Sequence, residues 1–188
     1  MEKVIWKPGT MVYPVPAVLV SSGDHVDNFN VLTIAWTGTI CSEPAMTYVS
    51  IRPSRLSHET ICRTKEFVIN LTTDKLAFAT DFCGCVSGRE MNKIKRLKLT
   101  AVQGREVKAP LIEESPINIE CKVTEIKKLG SHDMFIAKVV CIHADKRYMD
   151  KKGAFDLRKA DPLCYSHGKY YALGKFLGTF GFSVKSKK

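Results

Sequence analysis

The segment beginning at residue 117 sets the strongest limit on what this chain can fold into. Ile117, Ile119, Cys121 and Val123 alternate with Asn118, Glu120, Lys122 and Thr124, and a second apolar run at 134–142 returns after Gly130. A period of two over this length does not fit a helix and describes two antiparallel strands. The pattern predicts a hairpin with one buried face and one wet face. Four further runs, at 11–21, 31–36, 45–51 and 66–71, are rich in β-branched or aromatic residues and are separated by Gly, Asp, Asn and Pro clusters, which is strand punctuation. Helical spacing is confined to 54–65, to 73–82 and to a basic stretch at 91–97. The expectation is one mainly antiparallel closed barrel over residues 1–188 with small helices around it, because no repeat and no Pro/Gly/Ser linker divides the chain.

Composition removes several alternatives. With 45% hydrophobic residues in 188, the chain has enough apolar material for a core, and disorder is excluded as a whole-chain description. The longest apolar stretch, 11–20, contains Pro14 and Pro16 and is about half of the roughly 20 residues a spanning helix needs. No membrane partner is expected. The start, MEKVIWKPGT, lacks the basic region and apolar core of a secretory signal, which points to a cytoplasmic protein. Seven cysteines, an odd number mostly inside apolar runs, read as reduced, buried thiols.

The net charge of +10 belongs to the second half: residues 1–82 carry 7 basic and 8 acidic side chains, and 83–188 carry 22 and 11. Such a surface attracts phosphates, nucleic acid or an acidic protein, and charge alone does not choose. Part of it reads simply as solvated lysine faces and a disordered tail at 185–188.

The sequence holds no G-x-G-x-x-G after a strand, no P-loop, no G-x-S-x-G and no H-E-x-x-H, so the corresponding enzyme classes are unsupported and no catalytic triad is assigned. Cys83-Gly84-Cys85 has the wrong spacer for a redox C-x-x-C or half a zinc site, and no metal ligand is assigned. The informative cluster is Arg52-Pro53-Ser54-Arg55-Leu56-Ser57, where a strand turns into a short helix. Two guanidiniums and two hydroxyls gather where helix-start N–H groups favour an anion, which makes either a monophosphate cradle or a capped, solvated helix start.

Six blocks in order carry a resemblance: N-V-L-T-I-A-W, S-I-R-P-S-R-L-S-H-E-T-I, E-F-V-I-N-L, D-F-C-G-C-V-S-G-R-E-M-N-K, L-G-S-H-D-M-F-I-A-K-V and P-L-C-Y-S-H-G-K-Y-Y-A-L-G. Together, over about residues 11–180, they resemble the flavin reductase-like family of FMN-binding split barrels, its flavoredoxin branch in particular. The resemblance implies a six-stranded Greek-key split barrel, a homodimer, and electron transfer through non-covalently held FMN. It places the phosphate on Arg52, Ser54, Arg55 and Ser57, with Lys93 adding charge; Ser57 stands where the family usually has threonine. It places Asn30 and the backbone of Thr33, Ile34, Ala35 and Trp36 at the isoalloxazine edge, with Asn70 and Leu71 lining the same pocket. His132 and Tyr165 approach from the later chain. Each also has a plainer reading: Trp36 as core, Asn70 as a buried strand-end cap, His132 as a turn residue.

In this reading the cofactor carries the redox step, which explains the absence of acid–base machinery. The donor is left open between NAD(P)H and a reduced, acidic electron-transfer protein. Two other classes remain: a module that stores or senses FMN without turnover, and a basic barrel binding single-stranded nucleic acid. The latter is disfavoured because the aromatics sit inside core strands rather than between basic residues.

Overall fold

The computed structural model describes residues 1–184, so the tail at 185–188 lies outside the described residues. Twelve strands form: β1 (Val15–Pro16), β2 (Val18–Ser22), β3 (Asn30–Ile34), β4 (Thr37–Cys41), β5 (Met46–Ile51), β6 (Glu66–Leu71), β7 (Ala101–Val102), β8 (Leu111–Ile112), β9 (Ile117–Lys128), β10 (Asp133–Ala144), β11 (Leu163–Ser166) and β12 (Lys169–Ala172). Three α-helices accompany them among the described residues, α1 (Leu56–Thr64), α2 (Ala77–Cys85) and α3 (Lys93–Leu97), with four short 3-10 turns. None of the described helices is long and apolar enough to cross a membrane.

Seven strands make the main sheet in the order β3-β2-β6-β9-β10-β5-β4. β3 and β4 lie at opposite ends of that row, yet only Ala35 and Trp36 separate them in sequence. A two-residue link spans only about 10 Å, so the sheet must curl until its ends meet. The amide of Ser50 in β5 donates to Trp36 O at 2.9 Å and carries the β4–β5 ladder one residue into that link. β3 pairs with β2 alone and keeps its other edge unpaired, and the barrel is split there.

The interior is filled from both halves of the curl by Val18, Val20, Leu32, Ile34, Val49, Ile51, Phe67, Ile69, Cys121, Phe135 and Ala137, with Ile61 entering from α1. Phe67 and Phe135 are completely buried; truncating either to Ala should cost about 3–5 kcal/mol. The outer face is covered too. Leu19 and Val31 pack on Cys83 and Ile94 of the helices, and Val68 packs on Val107, Ala109 and Leu111. Burial on both faces explains why β2, β3 and β6 read as continuous apolar runs rather than alternating ones.

Three sequence expectations need correction. The main sheet has seven strands rather than six, because Thr37–Cys41 pairs with β5; its Thr-Gly-Thr opening is a weak strand signal, and Gly38 is accommodated where a Cβ would meet the Tyr48 ring at 3.4 Å. The run at 11–21 is not one strand. Pro14 and Pro16 interrupt it because proline offers no ladder donor, so Val15–Pro16 joins β11 and β12 in a separate small sheet while β2 begins at Val18. Third, the outward face of β9 is not wet throughout: Asn118 and Glu120 are buried. Segment 104–112 closes over them and satisfies them, as Glu120 accepts from the amides of Arg105, Glu106 and Val107 at 2.7–3.0 Å.

Candidate functional site

At the split lies a groove of roughly 310 Å³, lined by Leu32, Thr33, Ile34, Ala35, Trp36, Ser50, Ile51, Arg52, Arg55, His132 and Tyr165. One wall is the unpaired edge of β3, whose outward N–H and C=O groups have no strand partner and therefore seek one. The opposite wall is the end of β5 and its turn into α1, where the Arg55 amide donates to Arg52 O at 3.0 Å. Trp36 is half-buried and 6.1 Å from the Tyr13 ring, which also packs beside Tyr165. An aromatic end-wall results.

A narrow cleft continues the groove past Leu32 and Arg55 and adds Asn30, Ser57, Val86, Ser87, Gly88 and Lys93. Asn30 donates through Nδ2 to Ser57 Oγ at 2.8 Å, which ties the first turn of α1 to β3. Gly88 is required at this spot, since a Cβ there would stand 2.3 Å from Asn30 Oδ1. The charges are the notable feature. Arg55 Nη2 donates to Gly84 O at 2.9 Å, and Lys93 Nζ donates to Cys83 O and Val86 O at 3.3 and 3.2 Å. Both cations therefore sit at the carbonyl end of α2, where the helix dipole favours them. Among the described residues neither forms an ion pair with a carboxylate. Lys93 is only 2% exposed, and burial, with the Arg55 charge adding to it and Cys83 opposing it, holds its ammonium below the usual lysine range.

His132 reaches the groove from the β9–β10 turn, its Nδ1 2.9 Å from Ser131 Oγ. Burial, with the Arg52 charge beside it, lowers its pKa, so the ring is neutral near pH 7. A second hollow of about 320 Å³ shares Thr33, Ala35 and Tyr165 with the groove and adds Asp81, Cys85 and Tyr170. Burial and the Asp81 carboxylate push the Tyr170 phenol up to about 12.

The structure thus brings Thr33, Ile34, Ala35, Trp36, Arg52, Arg55, His132 and Tyr165 into one groove and Asn30, Ser57 and Lys93 into its extension. Ser54 is exposed on the turn and lines neither. Asn70 and Leu71 also lie elsewhere. Leu71 packs against the barrel core, while Asn70 points to the outer face of β6, where its amide is consumed by Leu19, Ser21, Ile112 and Asn118. Sequence reasoning missed Tyr13, Ser50, Ser87 and Gly88. The last two stand in the C-G-C-V-S-G block, where the Ser-Gly pair after the cysteines is the turn signal that marks them.

A curled antiparallel sheet with an open edge and a cation-lined cleft at its split defines a split-barrel protein. The flavin reductase like domain profile matches residues 10–174, and the chain belongs to that family. An uncharacterized protein of Pyrococcus abyssi is 34% identical over 78% of this chain and 80% of its own. Flavoredoxin of Desulfovibrio vulgaris (Miyazaki F) superposes with a TM-score of 0.90 at 30% identity, covering 98% of this chain and 100% of that one. A flavoredoxin from Methanosarcina acetivorans gives 0.87 at 26% identity, with 98% and 100% covered.

Proposed function

We propose that the protein is an oxidoreductase that holds FMN non-covalently in the groove at the split and passes electrons through it. The observation that carries this reading is the pair Arg55 and Lys93: two cations fixed at the end of α2, one of them buried, with carbonyl partners only among the described residues. A buried ammonium without a counter-charge is costly, and a phosphate monoester in the groove beside Arg55, where the cleft opens, offsets that cost. The residues therefore fit the group. Bound FMN supplies the capacity to take up two electrons and release them singly.

The chain's own residues bind, orient and shield. Arg55 and Lys93 hold the phosphate, with Arg52 free on the turn to add a third charge. The open edge of β3 at Thr33, Ile34 and Ala35 donates and accepts along the polar rim of the ring, and Trp36 and Tyr165 close the apolar end. Neutral His132 can hydrogen-bond through the ring nitrogen not engaged by Ser131 without adding charge at the groove mouth. Ser57 acts from behind, keeping Asn30 and the start of α1 in register. Anaerobic titration of the FMN-loaded protein with NADH, NADPH and reduced low-potential carrier proteins, followed by bleaching of the flavin, tests the oxidoreductase reading. No bleaching by any of these classes sinks it and favours storage.

The protein acts as a homodimer in this proposal. Large apolar side chains are exposed at both ends of the chain, Ile5, Trp6 and Val12 at one and Leu177, Phe180 and Phe182 at the other, and a partner subunit could cover them. Light scattering should return about twice 21.1 kDa. A monomer that still binds FMN tightly contradicts this.

The cysteines take no part in electron passage. Burial pushes the Cys83 thiol up to about 11 despite nearby Lys93, so it is neither a thiolate nor a nucleophile at neutral pH. A Cys83→Ser/Cys85→Ser double variant should reduce and reoxidise its flavin within about threefold of wild type. Normal FMN binding with lost electron passage would point to a dithiol relay instead.

A further inference from the structure

On the outer face of the β9–β10 ribbon, outside the groove, three side chains of metal-ligating type converge. Glu120 Oε, Cys141 Sγ and a ring nitrogen of His143 all lie within 4.8 Å of one another. We propose that Glu120, Cys141 and His143 form a binding site for one thiophilic divalent cation of the zinc class. A carboxylate, a thiolate and an imidazole are a zinc donor set, and three protein ligands leave one position open.

The ladder builds this arrangement. Between Val139 and Cys141 the pairing of β10 with β9 slips by one residue, so that Val139 faces Cys121 and Cys141 faces Glu120. Such a bulge re-aims side chains. Val140 packs with Val68 on the outer face, and Cys141 joins Glu120 on that same face. His143, two residues on, follows it there. Regular pairing would have set Val140 opposite Glu120 and left no thiol at the site.

The distances need only a small adjustment. Tetrahedral zinc holds neighbouring ligand atoms about 3.3–3.6 Å apart. Cys141 Sγ is already 3.6 Å from His143 Nε2, whereas Nε2 stands 2.5 Å from Glu120 Oε1 in a hydrogen bond. The cation would take the place of the proton in that bond and move the ring outward by less than about 1 Å. His143 is free to move, since its side chain is 34% exposed and it lines a cavity of about 700 Å³. Glu120 is fully buried and held by the amides of Arg105, Glu106 and Val107, the outer support that fixes a ligating carboxylate. Coordination requires the Cys141 thiol to release its proton to solvent, so uptake of the cation releases acid.

The test uses the full-length protein as purified, stripped by dialysis against a chelator and titrated with Co²⁺ and then Zn²⁺. One equivalent of Co²⁺ should produce tetrahedral d–d bands to the red of any flavin absorption, and Zn²⁺ should displace it. Cys141→Val and His143→Gln should each weaken Zn²⁺ binding about a hundredfold or more, while Cys62→Ser should leave it unchanged. Should either variant fail to fold, alkylation mapped by mass spectrometry decides in the wild type, where one equivalent of Zn²⁺ must protect Cys141 and leave Cys85 reactive. Absence of stoichiometric binding, or binding that survives both substitutions, or no protection of Cys141, overturns the site.

Discussion

Replacing Arg55 with Ala should weaken FMN binding about ten to a hundredfold while leaving riboflavin binding almost unchanged. The substitution removes a charge-assisted hydrogen bond to a phosphate, worth about 1.5–3 kcal/mol, and each 1.4 kcal/mol is about tenfold in affinity. Lys93→Met gives the sharper comparison, because the ammonium is buried and meets only carbonyl oxygens. Removing an unpaired buried charge should leave thermal stability equal or higher, yet FMN affinity should fall at least as far as in the Arg55 variant. A lysine serving only the fold would show the opposite, lower stability with affinity retained. The pH dependence has a definite sign. Burial holds the Lys93 pKa below the ordinary lysine value in the FMN-free protein, and a bound phosphate would favour the charged form. FMN affinity should therefore fall as pH rises through that lowered value, whereas riboflavin affinity should show no such fall. Fluorescence titration of both flavins across alkaline pH measures it, and parallel curves would remove the cradle.

An effect on stability as large as that of emptying the core is expected at Asn70. Its Nδ2 donates to Leu19 O and Ser21 Oγ at 2.9 Å, and its Oδ1 accepts from the Ile112 amide and from Asn118 Nδ2 at 2.9 and 2.8 Å. The residue is completely buried. Asn70→Leu keeps the volume but leaves at least two donors without partners, each costing about 1–3 kcal/mol, so a total loss of about 3–5 kcal/mol is expected by chemical denaturation. Under native conditions FMN affinity should stay within about threefold of wild type, because Asn70 faces the 104–112 segment rather than the groove. A variant of normal stability that no longer binds FMN would return Asn70 to the pocket.

Much of this architecture was legible in the chain. Alternation at 117–124, the Pro53 turn and the apolar runs of β3, β5 and β6 are local signals, because strand period and turn chemistry are properties of consecutive residues. The strand–turn–helix Arg52-Pro53-Ser54-Arg55 carried the site for the same reason. Asn70 was misplaced because a strand shows which side chains share a face but not what covers that face. Glu120 was read as wet for the same cause. The C-terminal carbonyls of α2 that hold Arg55 and Lys93 are backbone groups, which leave no trace in residue identity.

By itself, the sequence determined the strand content, the turn that presents the two arginines, the basic second half and membership of a flavin-handling family. The tertiary structure decided which faces are buried twice, where the sheet fails to close, and that Arg55 and Lys93, 38 positions apart in the sequence, meet at one helix end. It also decided that a one-residue slip brings Cys141 beside Glu120 and His143. The division has a physical origin. Local pattern follows from the period of the backbone, whereas the position of a charge or a thiol depends on the curl and register of strands far apart in the chain.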